Sequence, residues 1–268
     1  MILKLFSIEW TRLTHRSLLW FTFLCCALFI WLGLENFYTL NRATLLDGTL
    51  KIPGASFDLA NSLDQLLLVA LPFLVIMTAL VLGNDYSQRT NQHWLMRAPR
   101  SSSLLTKFGL LALVTFALQI LTLVVGGATG WYYKTFTYEA YVLGNVNGMA
   151  ALSAAFYMTL VTLPYIALIL LITVLTRSAF AGIAIGLGYT QFIEILLTSI
   201  FYGAGWSKWM MRNLYFSATY LLNSIGNRSI SPPAELLSPG AAFAMAAIYT
   251  LTFLALAIWL YRRQDLGG

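Results

Sequence analysis

The chain has 268 residues, 59% of them hydrophobic and only 10% charged, with a formal net charge of +6. A soluble domain is about one-quarter charged, so most of this chain is expected to meet lipid or other apolar helices, and its positive charge is read by location rather than as a nucleic-acid signal. Cys25 and Cys26 are adjacent in an apolar run, and His15 and His93 are the only histidines, a pattern that argues for buried thiols over a disulfide framework or a metal site.

Residues 1–17 place Ile2, Phe6, Trp10 and Leu13 at helical spacing, with Lys4, Glu9, Arg12 and Arg16 between them. The single greasy face predicts a helix lying in the membrane interface, its basic side toward the headgroups. The next apolar run, 18–34, is longer than the core of a signal peptide, and no small-x-small cleavage site follows it. It is therefore taken as a retained first span. Five further spans are predicted at about 65–83, 104–125, 149–175, 180–202 and 241–260, each near the ~20 residues that cross about 30 Å of hydrocarbon. Pro72 and Pro164 fall inside spans and are expected to kink them. Gly182 and Gly186 form a small-xxx-small pair that permits close helix contact.

Between the second and third spans lies a polar interruption, 84–107, carrying Arg89, Arg97, Arg100 and Lys107 against one acid, Asp85. Tyr86, Arg89, Thr90, His93, Trp94 and Arg97 fall at helical spacing ahead of Pro99, which predicts a short basic helix outside the bilayer, closed by the proline. Six spans put both termini on the side of this loop, where ten of the sixteen Lys/Arg residues fall. The positive-inside rule makes that side cytoplasmic. On the opposite side, 203–240 carries Trp206, Trp209, Leu214, Tyr215 and Tyr220 ahead of Pro232, Pro233 and Pro239. This amphipathic segment is expected to lie at, or dip into, the outer interface.

Glu194 sits in the middle of the fifth span, with Thr190, Gln191 and Thr198 at helical offsets that share its stripe. Two readings stay open: a carboxyl that glues helices by hydrogen bonding, or a polar contact in a substrate path or at a dimer seam. Intramembrane acids lean toward function. Tyr157, Thr159 and Thr162 of the fourth span are read as packing groups. No catalytic constellation is present, and no GxxxxGK[S/T] phosphate loop occurs. The cytoplasmic segments, about 50 residues in all, are too few for a nucleotide-binding domain.

The run Asp85-Tyr86-x-x-x-Thr90, then Leu95, Pro99, Arg100 and Lys107 leading into a span, resembles the junction after the second span of type-2 ABC exporter permeases; Arg89 stands where that family usually has glycine. The resemblance runs along the whole chain, from the interfacial helix through six spans and the large external segment to the basic C-terminal end. It implies an all-α membrane protein forming one six-span permease domain over 1–268, with an interfacial helix at 1–17, a cytoplasmic coupling loop at 84–103 and an external loop at 203–240. It further implies a dimer with a second permease copy or a homologous permease, in a bacterial inner membrane with both termini cytoplasmic. Two copies of a separate ABC ATPase subunit would carry ATP and Mg, with no cofactor on this chain. The coupling role falls on Asp85, Tyr86, Arg89, Thr90, Trp94, Leu95 and Arg97, where Trp94 and Leu95 offer an apolar anchor and Arg89 and Arg97 offer donors of the kind enriched at interface hot spots. The competing account of the loop is a lipid anchor, its arginines meeting anionic headgroups. Two rival functions are an ion- or proton-coupled secondary transporter using Glu194 and a non-transporting membrane scaffold. Against the first, Pro72 and Pro164 do not occupy matching positions of two three-span repeats.

Overall fold

The computed structural model describes residues 2–40, 55–87, 100–136, 148–201, 205–222 and 236–264. Among these residues the regular structure is all helical, with no strand. Inside hydrocarbon no water is available to the backbone, so each long apolar run satisfies its own amides and carbonyls as a helix.

Helix α1 (Ile2–Thr14) precedes α2 (Ser17–Leu40), α3 (Ala55–Ser87), α4 (Arg100–Phe136) and α5 (Gly148–Thr176). The fifth span is divided into α6 (Ala179–Leu187), a π turn (Gly188–Ile193) and α7 (Glu194–Ile200). A 3₁₀ turn (Ser207–Trp209) leads into α8 (Met211–Thr219), and α9 (Pro239–Arg263) is the last span. Six of these stretches are long and apolar enough to cross a membrane, and they coincide with the six spans expected. The helices outrun the apolar cores that announced them: α4 has 37 residues, which at 1.5 Å per residue is about 55 Å and well beyond the hydrocarbon. Pro72 and Pro164 lie inside α3 and α5, each of which continues through its proline.

Helix α5 is the hub, with 72% of its span buried, against 28% for α2, 22% for the fifth span and 28% for α9. It packs on α3, α4, α6, α8 and α9. Its threonines do not break the apolar surface, because Thr159 and Thr162 donate to carbonyls four residues back at 2.8 Å. This local bond satisfies a hydroxyl where water is absent. Tyr157 instead points outward from α5 and stacks on Phe243 of α9, ring centroids 4.6 Å apart.

The Gly182–Gly186 pair makes the close contact its spacing permits. A Cβ on Gly186 would stand 2.5 Å from Ile169 Cδ1 of α5 and 2.7 Å from Val75 Cγ1 of α3, and one on Gly182 would strike the Thr173 hydroxyl. Lower on the same seam, a Cβ on Gly83 would meet the backbone of Ala179. Three spans therefore converge where side chains are missing, the membrane substitute for a hydrophobic driving force between helices. Two cores result. One joins Leu13, Leu82, Leu104, Leu110 and Tyr261 at the end shared by the two termini. The other joins Leu63, Met158, Tyr165, Met211 and Tyr215 at the opposite end.

Candidate functional site

At the end of the bundle that holds α1, the loop following α3 is rooted in a buried charge cluster. The Lys107 ammonium, on the second turn of α4 and 1% exposed, lies 2.9 Å from Glu9 Oε1 of α1 and 2.9 Å from Asp85 Oδ2 of α3. It also donates to the Val81 carbonyl at 3.3 Å. A single cation thus ties α1 to the end of the second span and the start of the third. A lysine taken this far from water needs such partners, because an uncompensated buried charge is far costlier than a paired one. Nearby, the Arg16 guanidinium donates to the Leu80 carbonyl at 3.4 Å.

A second clamp stands beside the first. The Tyr86 hydroxyl donates to Gln264 Oε1 at 2.9 Å, and Gln264 Nε2 donates to the Val174 carbonyl at 2.5 Å. Arg262 donates to Ser101 Oγ at 3.2 Å. The two flanks of the loop are therefore tied to α1, α5 and the end of α9. Of the seven residues expected to form the coupling segment, Asp85 and Tyr86 occupy the last turns of α3 and belong to these clamps. Arg89, Thr90, Trp94, Leu95 and Arg97 lie outside the described residues. The sequence shows Lys107 only as a basic residue leading into the span and does not reveal its partners. A signal was present: a lysine inside an apolar helix is expensive and calls for a counter-charge, and Glu9 is an acid on the otherwise basic face of α1.

The polar stripe of the fifth span is found at the other end. Thr190 and Glu194 are fully buried and Thr198 nearly so, while Gln191 is half-buried. Both carboxylate oxygens of Glu194 are engaged: Oε2 accepts from the Tyr165 hydroxyl of α5 and Oε1 from the Arg212 backbone N–H of α8, each at 2.9 Å. Thr190 and Thr198 turn their hydroxyls back onto the Gly186 and Glu194 carbonyls. The structure thus brings Thr190, Glu194 and Thr198 to the interior of the chain, against α5 and α8. Helix α8, from the segment between the fifth and last spans, buries Met211, Asn213, Leu214, Tyr215, Ser217 and Ala218 among the spans. The Tyr215 hydroxyl donates to the Leu63 carbonyl of α3 at 2.8 Å, and Tyr249 of α9 donates to the Trp209 carbonyl at 3.0 Å. Tyr165 and Tyr215 escape sequence reasoning as site residues, since one tyrosine in an apolar run gives no hint of which distant carboxylate or carbonyl it reaches.

Five apolar spans around a sixth, buried one, with the ion pairs found among the described residues gathered at one end, define a multi-pass membrane protein. The chain belongs to the ABC-2 family of transporter proteins, whose sequence profile, described as ABC-2 family transporter protein, matches residues 5–192. It is accordingly a transport permease of that family. The matched region contains the whole charge cluster of Glu9, Asp85 and Lys107 and stops two residues before Glu194. No curated protein and no solved structure matches the chain significantly.

Proposed function

We propose that this permease is the membrane-spanning subunit of an ATP-driven exporter, paired with a second permease and served by two separate ABC ATPase subunits that dock on the 84–103 loop. ATP and Mg belong to those subunits. Both termini and the loop face the cytoplasm of a bacterial inner membrane. The observation that carries this reading is the pair of polar clamps at the loop's two flanks. A push on a loop whose ends are tied through Lys107 to α1 and α3, and through Tyr86 and Gln264 to α5 and α9, reaches four helices at once. A loop hung on flexible ends would dissipate the same push. In this scheme Asp85 and Tyr86 hold the root, Trp94 and Leu95 supply the apolar anchor, and Arg89, Thr90 and Arg97 supply the polar contacts. The stripe of Thr190, Gln191, Glu194 and Thr198 borders the substrate path, because polar groups at that depth are rare without a path or a partner to serve.

The test is capture of the ATPase. Trp94→Ala and Arg97→Glu are expected to insert and assemble normally while losing affinity for the ATPase subunit by more than ~2 kcal/mol, about 30-fold, as truncated hot spots do. Wild-type co-purification and wild-type stimulation of ATP hydrolysis in both variants would return the loop to a lipid anchor.

A further inference from the structure

We propose that Glu194 is a positioning residue: its carboxylate caps α8 from a different helix and latches the external segment across the end of the bundle opposite the termini. The proposal goes beyond the transport reading and does not depend on ATPase docking.

Helix α8 begins without a cap of its own. Its N-cap residue is Met210, which offers no side-chain hydrogen bond, so the first turn presents unsatisfied N–H groups among buried residues. Glu194 supplies what is missing. Its Oε1 accepts from the Arg212 N–H, the second residue of α8, as a capping aspartate would from within the chain. The carboxyl stands at the positive end of the helix, where the dipole favours its acceptor oxygen. The other oxygen is held by Tyr165, so the carboxylate is aimed from α5 as well as from its own span. The π turn over Gly188–Ile193 ends immediately before Glu194. Such wide turns shift the register of the helix beyond them and recur at functional positions; here Glu194 and Thr198 emerge from it facing inward, toward α8 and α5.

Tyr215 to Leu63 and Tyr249 to Trp209 complete the seating, so the segment is bonded to α3, α7 and α9, while Tyr165 of α5 holds the Glu194 carboxyl that receives it. Glu194 is the ionisable carboxyl of this set. It is also the one that α8 meets at its uncapped end. A movement that lifts α8 from the bundle must break its Arg212–Glu194 and Tyr215–Leu63 bonds. In this conformation Glu194 is fully buried beneath the seated α8, so the residue acts on the path through α8.

The experiment reads the seating of α8 directly. A cysteine reporter, Ser217→Cys, is placed on the fully buried Ser217 in a Cys25→Ala, Cys26→Ala background, and maleimide labelling is timed on the purified permease in lipid nanodiscs. A second reporter, Thr78→Cys, replaces a fully buried residue of α3 away from α8. Glu194→Leu is expected to speed labelling of the Ser217→Cys reporter roughly tenfold, the scale of losing one helix cap, with the Thr78→Cys reporter unchanged. Glu194→Gln is expected to stay near wild type, because the amide oxygen still accepts from the Arg212 N–H. Should Glu194→Leu fail to assemble, hydrogen exchange at the Arg212 amide in Tyr165→Phe decides the matter, and exchange faster than wild type is the expected result. The proposal is overturned by unchanged Ser217→Cys labelling in Glu194→Leu, by an equal rise at both reporters, by Glu194→Gln labelling as fast as Glu194→Leu, or by unchanged exchange in Tyr165→Phe.

Discussion

Removing the Lys107 ammonium should unfasten three helices at once. In Lys107→Met the aliphatic stem is retained, so packing changes little, but two carboxylates that shared a cation are left facing one another. Asp85 retains about one-tenth of its side-chain exposure and Glu9 about one-sixth, so water can relieve neither fully. Breaking a buried ion pair by deleting one partner costs about 3–5 kcal/mol. The neighbouring Arg12, 3.7 Å from Glu9 and more than a third exposed, can return at most a surface pair's worth, about 0–1 kcal/mol. The single variants on the acid side should be milder. Glu9→Gln keeps a hydrogen bond to Lys107 and leaves the Asp85 pair intact, a loss of about 1–2 kcal/mol. The decisive variant is the triple Glu9→Gln, Asp85→Asn, Lys107→Met, which removes every charge together. It should recover to within about 1 kcal/mol of wild type, because a buried ion network replaced as a whole is close to neutral and its members are far from additive. Unfolding of the purified permease in mixed micelles, titrated with SDS and followed by tryptophan fluorescence, supplies the four stabilities. A Lys107→Met variant as stable as wild type, or a triple variant worse than Lys107→Met, would refute the argument.

The glycine seam gives a ranked prediction: Gly83→Ala should destabilise more than Gly186→Ala, because the new Cβ meets the Ala179 backbone in the first case and the movable Ile169 and Val75 side-chain tips in the second. The Gly186 variant should cost about 1–3 kcal/mol, the usual range for overpacking, whereas Gly109→Ala, which meets nothing within 4 Å, should be neutral; thermal stability of the three in one detergent checks the order. For the orientation, Ser102→Cys and Gly205→Cys in a Cys-free background are expected to label from opposite faces of intact cells, with Gly205→Cys open to an impermeant reagent outside. Gly205 is the better external position, since the adjoining Ser207 is buried. Labelling of both from outside would invert or break the six-span topology.

Whatever depends on local hydrophobicity and spacing was legible along the chain. Six apolar runs fix six helices because hydrocarbon leaves the backbone no other way to bond itself. The Gly182–Gly186 spacing announced a close approach, and Asp85-Tyr86 together with Lys107 marked the flanks of the loop after the second span. The partners of those residues were beyond reach of any local pattern. Glu9 and Lys107 are 98 positions apart, and Tyr86 and Gln264 are 178 apart; their encounter is set by how α1 and α9 lean on the hub. Glu194 shows the limit most sharply. Its stripe with Thr190 and Thr198 was legible, because helical offsets are a local fact. That the stripe turns inward, after a π turn, and ends on the N–H of a helix from the segment before the last span is a matter of tertiary packing. Charge at membrane depth announces that a partner exists; only the fold decides which one.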